Sequence, residues 1–255
     1  MLESKTPLEL AFDEIVLGAG GHITSELHPY QQLRATGSSP RDADYFFPTH
    51  ETVAELKRLE RDTFAIVEDP RLTKMTHDWV RRGLIPRPTS NRWPWFLPDL
   101  PVACQREAIS FFKGPVEKRI TDANDQIKRT KETLGLPGRT RGLLLLASDG
   151  NRVLDPHAVI CLLARIFKHP RFSAIHSIAY FTFGVLAEAP SINSDVCVWV
   201  DMDTWERDDG VPRALLTDLS ERWDKCLESK FGRKMRRVTD ESILADLKFS
   251  PKKKK

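Results

Sequence analysis

Little in this sequence spells out a familiar chemistry. Its four cysteines, Cys104, Cys161, Cys197 and Cys226, are far apart, with no CxxC and no nearby histidine pair. That spacing excludes a zinc knuckle or a redox dithiol and predicts buried free thiols in a reducing compartment. The seven histidines are dispersed without an HExxH, and His22 and His50 read as packing or surface residues. There is no GxxxxGK[ST] phosphate loop, although Gly18-Ala19-Gly20-Gly21 must form a turn, and no GxSxG or Cys–His arrangement for acyl transfer. The longest apolar run, Gly142–Ala147, is far short of the roughly 18 residues of a membrane span, and the first residues lack a basic-then-apolar leader. A soluble, cytoplasmic protein without a membrane partner is expected.

What is present is enough apolar residue, 40% of 255, for one large α/β domain with insertions. Residues 230–255 hold ten Lys/Arg against three Asp/Glu, a balance of +7, so with +3 for the whole chain the remainder sits near −4. A basic end on an acidic body suits a polyanion, because clustered cations release counterions from phosphates. Taken alone, Lys252–Lys255 serve equally well as a solubilising tail.

No internal repeat is visible. Leu8–Leu17 reads as a short helix ended by Gly18, and residues 28–43, with Pro29, Gly37 and Pro40, as a connection. Tyr45–Phe47 and Thr52–Lys57 are β-rich segments around a turn at Pro48-Thr49-His50-Glu51. Residues 60–107 read as an insertion, proline-rich, with one helix near Leu72–Arg82 and a docking cluster of Trp93, Trp95 and Phe96. Ala108–Leu134 is helical in pattern, broken at Gly114-Pro115 and stopped by Gly135. Arg141–Ala147 is a continuous apolar run, as for a strand covered on both faces, followed by a helix at His157–Lys168 and strands at Ile175–Phe183 and Val196–Val200. The alternation predicts an α/β sheet with helices on both sides, over one domain at 1–229: a core at 1–150 and an extension at 151–229, ahead of the basic tail.

Within the hairpin, Glu55 and Lys57 project from one face of a strand together with Val53 and Leu59. If the turn closes Phe47 onto Thr52, Asp44 falls opposite Glu55, with Cβ atoms about 5 Å apart. Two carboxylates that close need a proton or a cation between them. A divalent ion is the natural resolution, since Mg²⁺ takes one or two carboxylates plus water and phosphate oxygens. Lys57 beside them would steady a water or the attacked phosphate.

The stretch Arg41-Asp42-Ala43-Asp44-Tyr45-Phe46-Phe47, followed by Val53-Ala54-Glu55-Leu56-Lys57, resembles the PD-(D/E)XK, or restriction-endonuclease-like, nucleases. The resemblance covers about 140 residues and implies a core of helix, three antiparallel strands, helix and further strand, here with a C-terminal α/β extension. It implies metal-dependent hydrolysis of phosphodiesters, usually in DNA, with Asp44, Glu55 and the Leu56 carbonyl holding Mg²⁺, or Mn²⁺ in its place, and Lys57 orienting water. An acid on the first helix often joins the metal; Glu14 is the nominee and Asp13 its rival. The helix after the hairpin often contributes polar groups, here Gln126, Lys128 and Lys131 toward nucleic acid, with Asn124 sharing a face with Lys128. No proline directly precedes Asp44, so Asp42 competes for its role, and Glu51 is a further acid nearby.

Two other clusters read as turns: Asp201, Asp203, Glu206, Asp208 and Asp209, and Ser148-Asp149-Gly150. The rival readings are a catalytically silent nuclease-fold protein that binds nucleic acid or acts in assembly, and an unrelated α/β protein carrying a chance Glu-Leu-Lys. DNA is the expected partner, and a homodimer is left open.

Overall fold

The protein is described here from a computed structural model covering residues 5–35, 42–60, 70–87, 100–149, 154, 156–168, 171–183, 187–189, 194–204, 209–232, 234, 236–238 and 248–249. Its spine is a mixed sheet. The chain begins with α1 (Pro7–Gly18), whose Thr6 and Glu9 form a reciprocal capping box. Three strands follow, β1 (His22–Ile23), β2 (Tyr45–Phe47) and β3 (Thr52–Glu60), with β2 antiparallel to both β1 and β3. The β2–β3 register pairs Phe47 with Thr52, as the turn length predicts. β4 (Arg141–Asp149) then lies parallel to β3, β5 (Ser177–Phe183) parallel to β4, and β7 (Ser194–Asp203) antiparallel to β5. Beyond β7 the sheet is extended by β6 (Ala187–Ala189), β8 (Arg236–Val238) and β9 (Lys248–Phe249).

Helices cover both faces, and each face has its own apolar core. On one side α3 (Pro70–Arg81), α4 (Val102–Thr133) and α5 (Pro156–Ile166) bury Trp79, Phe112, Ile120 and Leu162 with Val53, Leu59, Leu144 and Leu146 of the sheet. On the other, α1 and α6 (Arg213–Phe231) bury Phe12, Val16, Leu219 and Trp223 with Ala54, Leu56, Leu143 and Leu145. The β4 leucines therefore alternate between the two cores, which is why that strand reads as unbroken apolar sequence. Gly142 opens it for a steric reason: a Cβ there would lie 1.9 Å from the Ala174 carbonyl oxygen.

Several expectations are corrected. Residues 28–43 are not merely a connection, because α2 (His28–Ala35) forms there. Pro29 sits in its first turn, where a missing N–H breaks no helical bond. Gly114-Pro115 does not break α4, which runs unbroken through Pro115. An interior proline costs about 3 kcal/mol. The buried stripe Cys104, Ala108, Phe112, Val116, Ile120, Ala123, Ile127 continues on both sides of it, and each large member contributes about 1.5–3 kcal/mol by burial. The packing wins. The same helix starts at Val102, so the insertion ends before residue 107.

α6 went unread, although its buried Leu215, Leu219, Trp223 and Leu227 recur at helical spacing and Gly232 ends it at φ 67°. The basic segment is not all tail, since β8 and β9 add to the sheet. Trp93, Trp95, Phe96 and Lys252–Lys255 lie outside the described residues. Cys104 and Cys197 are buried, Cys161 and Cys226 half-buried, and all four are free thiols. Among the described residues no helix is long and apolar enough to cross a membrane.

Candidate active site

The β2–β3 ladder ends at Tyr45 paired with Ala54. One residue further out Asp44 and Glu55 face each other, and side chains replace the missing ladder bonds. Asp44 donates its backbone N–H to Glu55 Oε2 at 3.0 Å, while Asp44 Oδ2 accepts the backbone N–H of Leu56 at 2.9 Å. The two carboxyl groups are also within hydrogen-bonding reach of each other. A strand residue sends its N–H and C=O toward the same side. The Leu56 carbonyl therefore leaves β3 on the edge where Asp44 sits.

Lys57 lies two residues along on the same face, its ammonium 2.6 Å from Glu55 Oε1. Its other partner comes from α4: the Gln126 side-chain oxygen accepts from Lys57 Nζ at 2.5 Å. The Gln126 amide nitrogen donates to the Asp42 carbonyl at 2.9 Å. An ammonium only donates and a carbonyl only accepts, so this environment fixes which way the amide points. Glu55 is 2% exposed and Lys57 15%, while Asp44 is half-buried and forms the accessible side of the group. The polar groups that meet the Glu55 carboxylate are the Lys57 ammonium and the Asp44 N–H.

Burial holds both carboxyls toward their protonated forms. Asp44 is pushed up to about 6, chiefly by burial, against the Leu56 hydrogen bond and the Lys57 charge, with Glu9 adding to the rise. Glu55 is raised well above the carboxylate range by burial and then by the Asp44 charge, with Lys57 opposing. Tyr45 is raised as well, by burial and by Asp44, Asp13 and Glu9. With both carboxyls ionised, the pair would carry more negative charge than the one ammonium beside it neutralises.

The other expected residues divide. Glu14 is exposed and turned toward Cys226 of α6, whose thiol it helps to raise, so the structure does not bring it to Asp44. Asp13 accepts from the Tyr45 hydroxyl at 3.2 Å and pairs with Lys5 at 2.6 Å, which leaves it beside the group. The α1 carboxylate felt at Asp44 is Glu9, missed by the sequence reading. Glu9 and Asp13 are one turn apart on a single helix face, whereas Glu14 is rotated well away from it. The Thr6-Pro7-Leu8-Glu9 capping box would have pointed to Glu9.

Gln126 joins the group through Lys57. Lys131 instead reaches the Ala174 carbonyl at 3.5 Å, and buried Asn124 accepts the Ala174 N–H at 3.0 Å, so both brace the approach to β5. Lys128 is exposed in an open groove with Asp125, Arg129 and Glu132, where the signs of charge alternate. The Asp42 side chain lies near the Tyr30 hydroxyl, whose pKa its charge helps to raise. Glu51 caps the hairpin turn at φ 44° and pairs bidentately with Arg139, away from Asp44. Asp201 and Asp203 pair with Arg213, while Glu206 and Asp208 lie outside the described residues.

Among the described residues no group of three or more His, Cys, Asp and Glu side chains is placed to hold a metal. The donor set at this edge is two carboxylates and a backbone carbonyl, all hard oxygens, which suits Mg²⁺ with water completing its shell. Comparison with protein-family models, with curated proteins and with solved structures finds no match to this chain.

Proposed function

We propose that this protein is a metal-dependent nuclease that hydrolyses phosphodiester bonds, most naturally in DNA, with Asp44, Glu55 and Lys57 as its catalytic group. The observation that carries the reading is the reciprocal bonding of Asp44 with the Glu55–Leu56 segment, with the Lys57 ammonium 2.6 Å from Glu55. The element order supports the resemblance to PD-(D/E)XK nucleases: α1, the antiparallel trio β1–β2–β3, then α4 and a parallel β4. Two adjoining carboxyls whose pKa values are raised, chiefly by burial, are also what a cation site looks like without its cation.

In this reading Asp44, Glu55 and the Leu56 carbonyl hold Mg²⁺, or Mn²⁺ in its place. When bound, the ion would polarise a phosphoryl oxygen as a Lewis acid. Lys57 supplies donors and positive charge at the attacked phosphate or the incoming water, where negative charge builds. Gln126 limits where that ammonium can go. Glu9 adds the negative charge that makes the edge favour a dication, with Asp13 and Tyr45 beside it.

The test is cleavage of duplex and single-stranded DNA by the purified chain with Mg²⁺ or Mn²⁺. We expect cutting that EDTA stops and that Glu55→Gln and Lys57→Met both reduce by at least about 10²-fold, with circular dichroism unchanged. Equal cutting by both variants would overturn the reading. Salt-sensitive retention of DNA without cutting at any metal concentration would assign the chain to binding rather than catalysis.

A further inference from the structure

Asp42 and Ala43 lead into β2 without belonging to a strand, so their backbone groups need partners from elsewhere. α4 supplies two. The Asp42 carbonyl accepts from Gln126 Nε2 at 2.9 Å, and the Ala43 N–H donates to Thr130 Oγ1 at 2.8 Å. Gln126 and Thr130 are one turn apart on one helix face, and they meet consecutive residues immediately ahead of Asp44.

Thr130 is the informative member. It follows Ala123 and Ile127 in the buried stripe of α4, and both Thr130 and Ala43 are closed to solvent. A hydroxyl in that position serves the Ala43 N–H, for which no water is available as a substitute. Thr130 is wholly buried, and a β-branched side chain in a helix has few χ1 states open to it. The acceptor is therefore fixed in place. On the far side of the same short segment, the Asp44 carbonyl accepts from the Thr24 N–H at 2.9 Å.

We propose that Thr130 is a positioning residue for the Asp44–Glu55 pair: by holding the Ala43 N–H it sets where Asp44 stands opposite Glu55, and so the geometry of the two carboxylates toward a divalent cation. It touches neither cation nor substrate. The proposal rests on the functional reading above only in taking the pair as a divalent-cation site.

The experiment uses the full chain with Thr130→Val, nearly isosteric but without the acceptor, and Thr130→Ser, which keeps it. The matched control is Thr182→Val, because buried Thr182 accepts the Val198 N–H at 3.3 Å, remote from the site. Mn²⁺ affinity is measured by titration calorimetry, and exchange of the Asp44 amide by hydrogen–deuterium exchange. Thr130→Val is expected to weaken Mn²⁺ by about tenfold or more, as loss of a supporting hydrogen bond behind a metal ligand does. Thr130→Ser should restore affinity, while Thr182→Val lowers stability and leaves affinity alone. Unchanged Mn²⁺ binding in Thr130→Val, or equal weakening in Thr182→Val, overturns the proposal. If wild type binds no Mn²⁺ while Asp44 exchange quickens in Thr130→Val and recovers in Thr130→Ser, the positioning role stands and the cation reading falls.

Discussion

Asp44 gives its backbone N–H to the Glu55 carboxylate across 3.0 Å, one position beyond the last residue pair of the β2–β3 ladder. A carboxylate used in this way takes the place of a strand carbonyl. The fold therefore spends a charged group on what a neutral one would do, and keeps it beside a second acid. Such an arrangement costs stability through burial of charge. That cost makes sense where a cation is to be bound.

Replacing Lys57 should separate binding from catalysis. The ammonium and a metal compete for Glu55, whose Oε1 is 2.6 Å from Lys57 Nζ. Lys57→Met is expected to abolish cutting while Mn²⁺ affinity, read by calorimetry, stays the same or rises. A variant that loses Mn²⁺ binding together with activity would show Lys57 to be part of the site's framework rather than its electrostatic catalyst.

The raised carboxyls predict an unusual pH dependence of stability. Asp44 holds its proton more tightly folded than unfolded, with a pKa of about 6 against an ordinary 3.8. Stability without metal should therefore fall as pH rises through that window and return on acidification. About two pKa units correspond to at most about 3 kcal/mol. The contribution is the difference between wild type and Asp44→Asn in urea midpoints from pH 4 to pH 7, and saturating Mn²⁺ should remove it. Parallel curves for the two proteins would show that Asp44 ionises normally.

Glu9, not Glu14, should tune the site. Glu9→Gln keeps a capping-box side chain on α1 while removing the charge that raises Asp44. The Asp44 midpoint, followed by carboxyl carbon NMR, should move down in Glu9→Gln and stay put in Glu14→Gln. A shift with Glu14→Gln alone would place the wrong face of α1 at the site.

The contrast between those two acids shows what the sequence could reveal. Asp44 opposite Glu55 was legible because a short turn between β-rich segments fixes a register, and register fixes which residues face. Glu9 was not, because choosing among three acids on α1 requires the helix's rotation about its own axis, which packing sets. Phe12 and Val16 turn inward onto Phe181 and Trp223. Pro115 in α4 misled for a related reason: a local breaker was weighed without the buried stripe that overrides it. Nothing in the sequence singles out Thr130, since its meaning depends on Ala43, 87 residues away.

Gly142 should tolerate no side chain. Its Cβ would meet the Ala174 carbonyl at 1.9 Å, a backbone atom that cannot swing aside. Gly142→Ala is expected to cost about 3 kcal/mol or more, seen as a lower urea midpoint. A neutral result would mean that the 174–176 segment shifts freely, in conflict with its bonds to Asn124 and Lys131.

The basic segment should divide into a structural part and an electrostatic part. Arg236–Val238 and Lys248–Phe249 add strands to the β7 side of the sheet, so a chain ending at Gly232 loses ladder bonds and should unfold at lower denaturant. A chain ending at Pro251 lacks only four lysines and should keep its midpoint. Phosphate contacts enter the salt dependence of DNA binding at a slope of about −0.9 each. If the four lysines bind DNA, the shorter chain's slope should therefore be shallower by at most about 3.6. Equal slopes for the full and shortened chains would assign those lysines to solubility and leave any DNA contact to the folded domain.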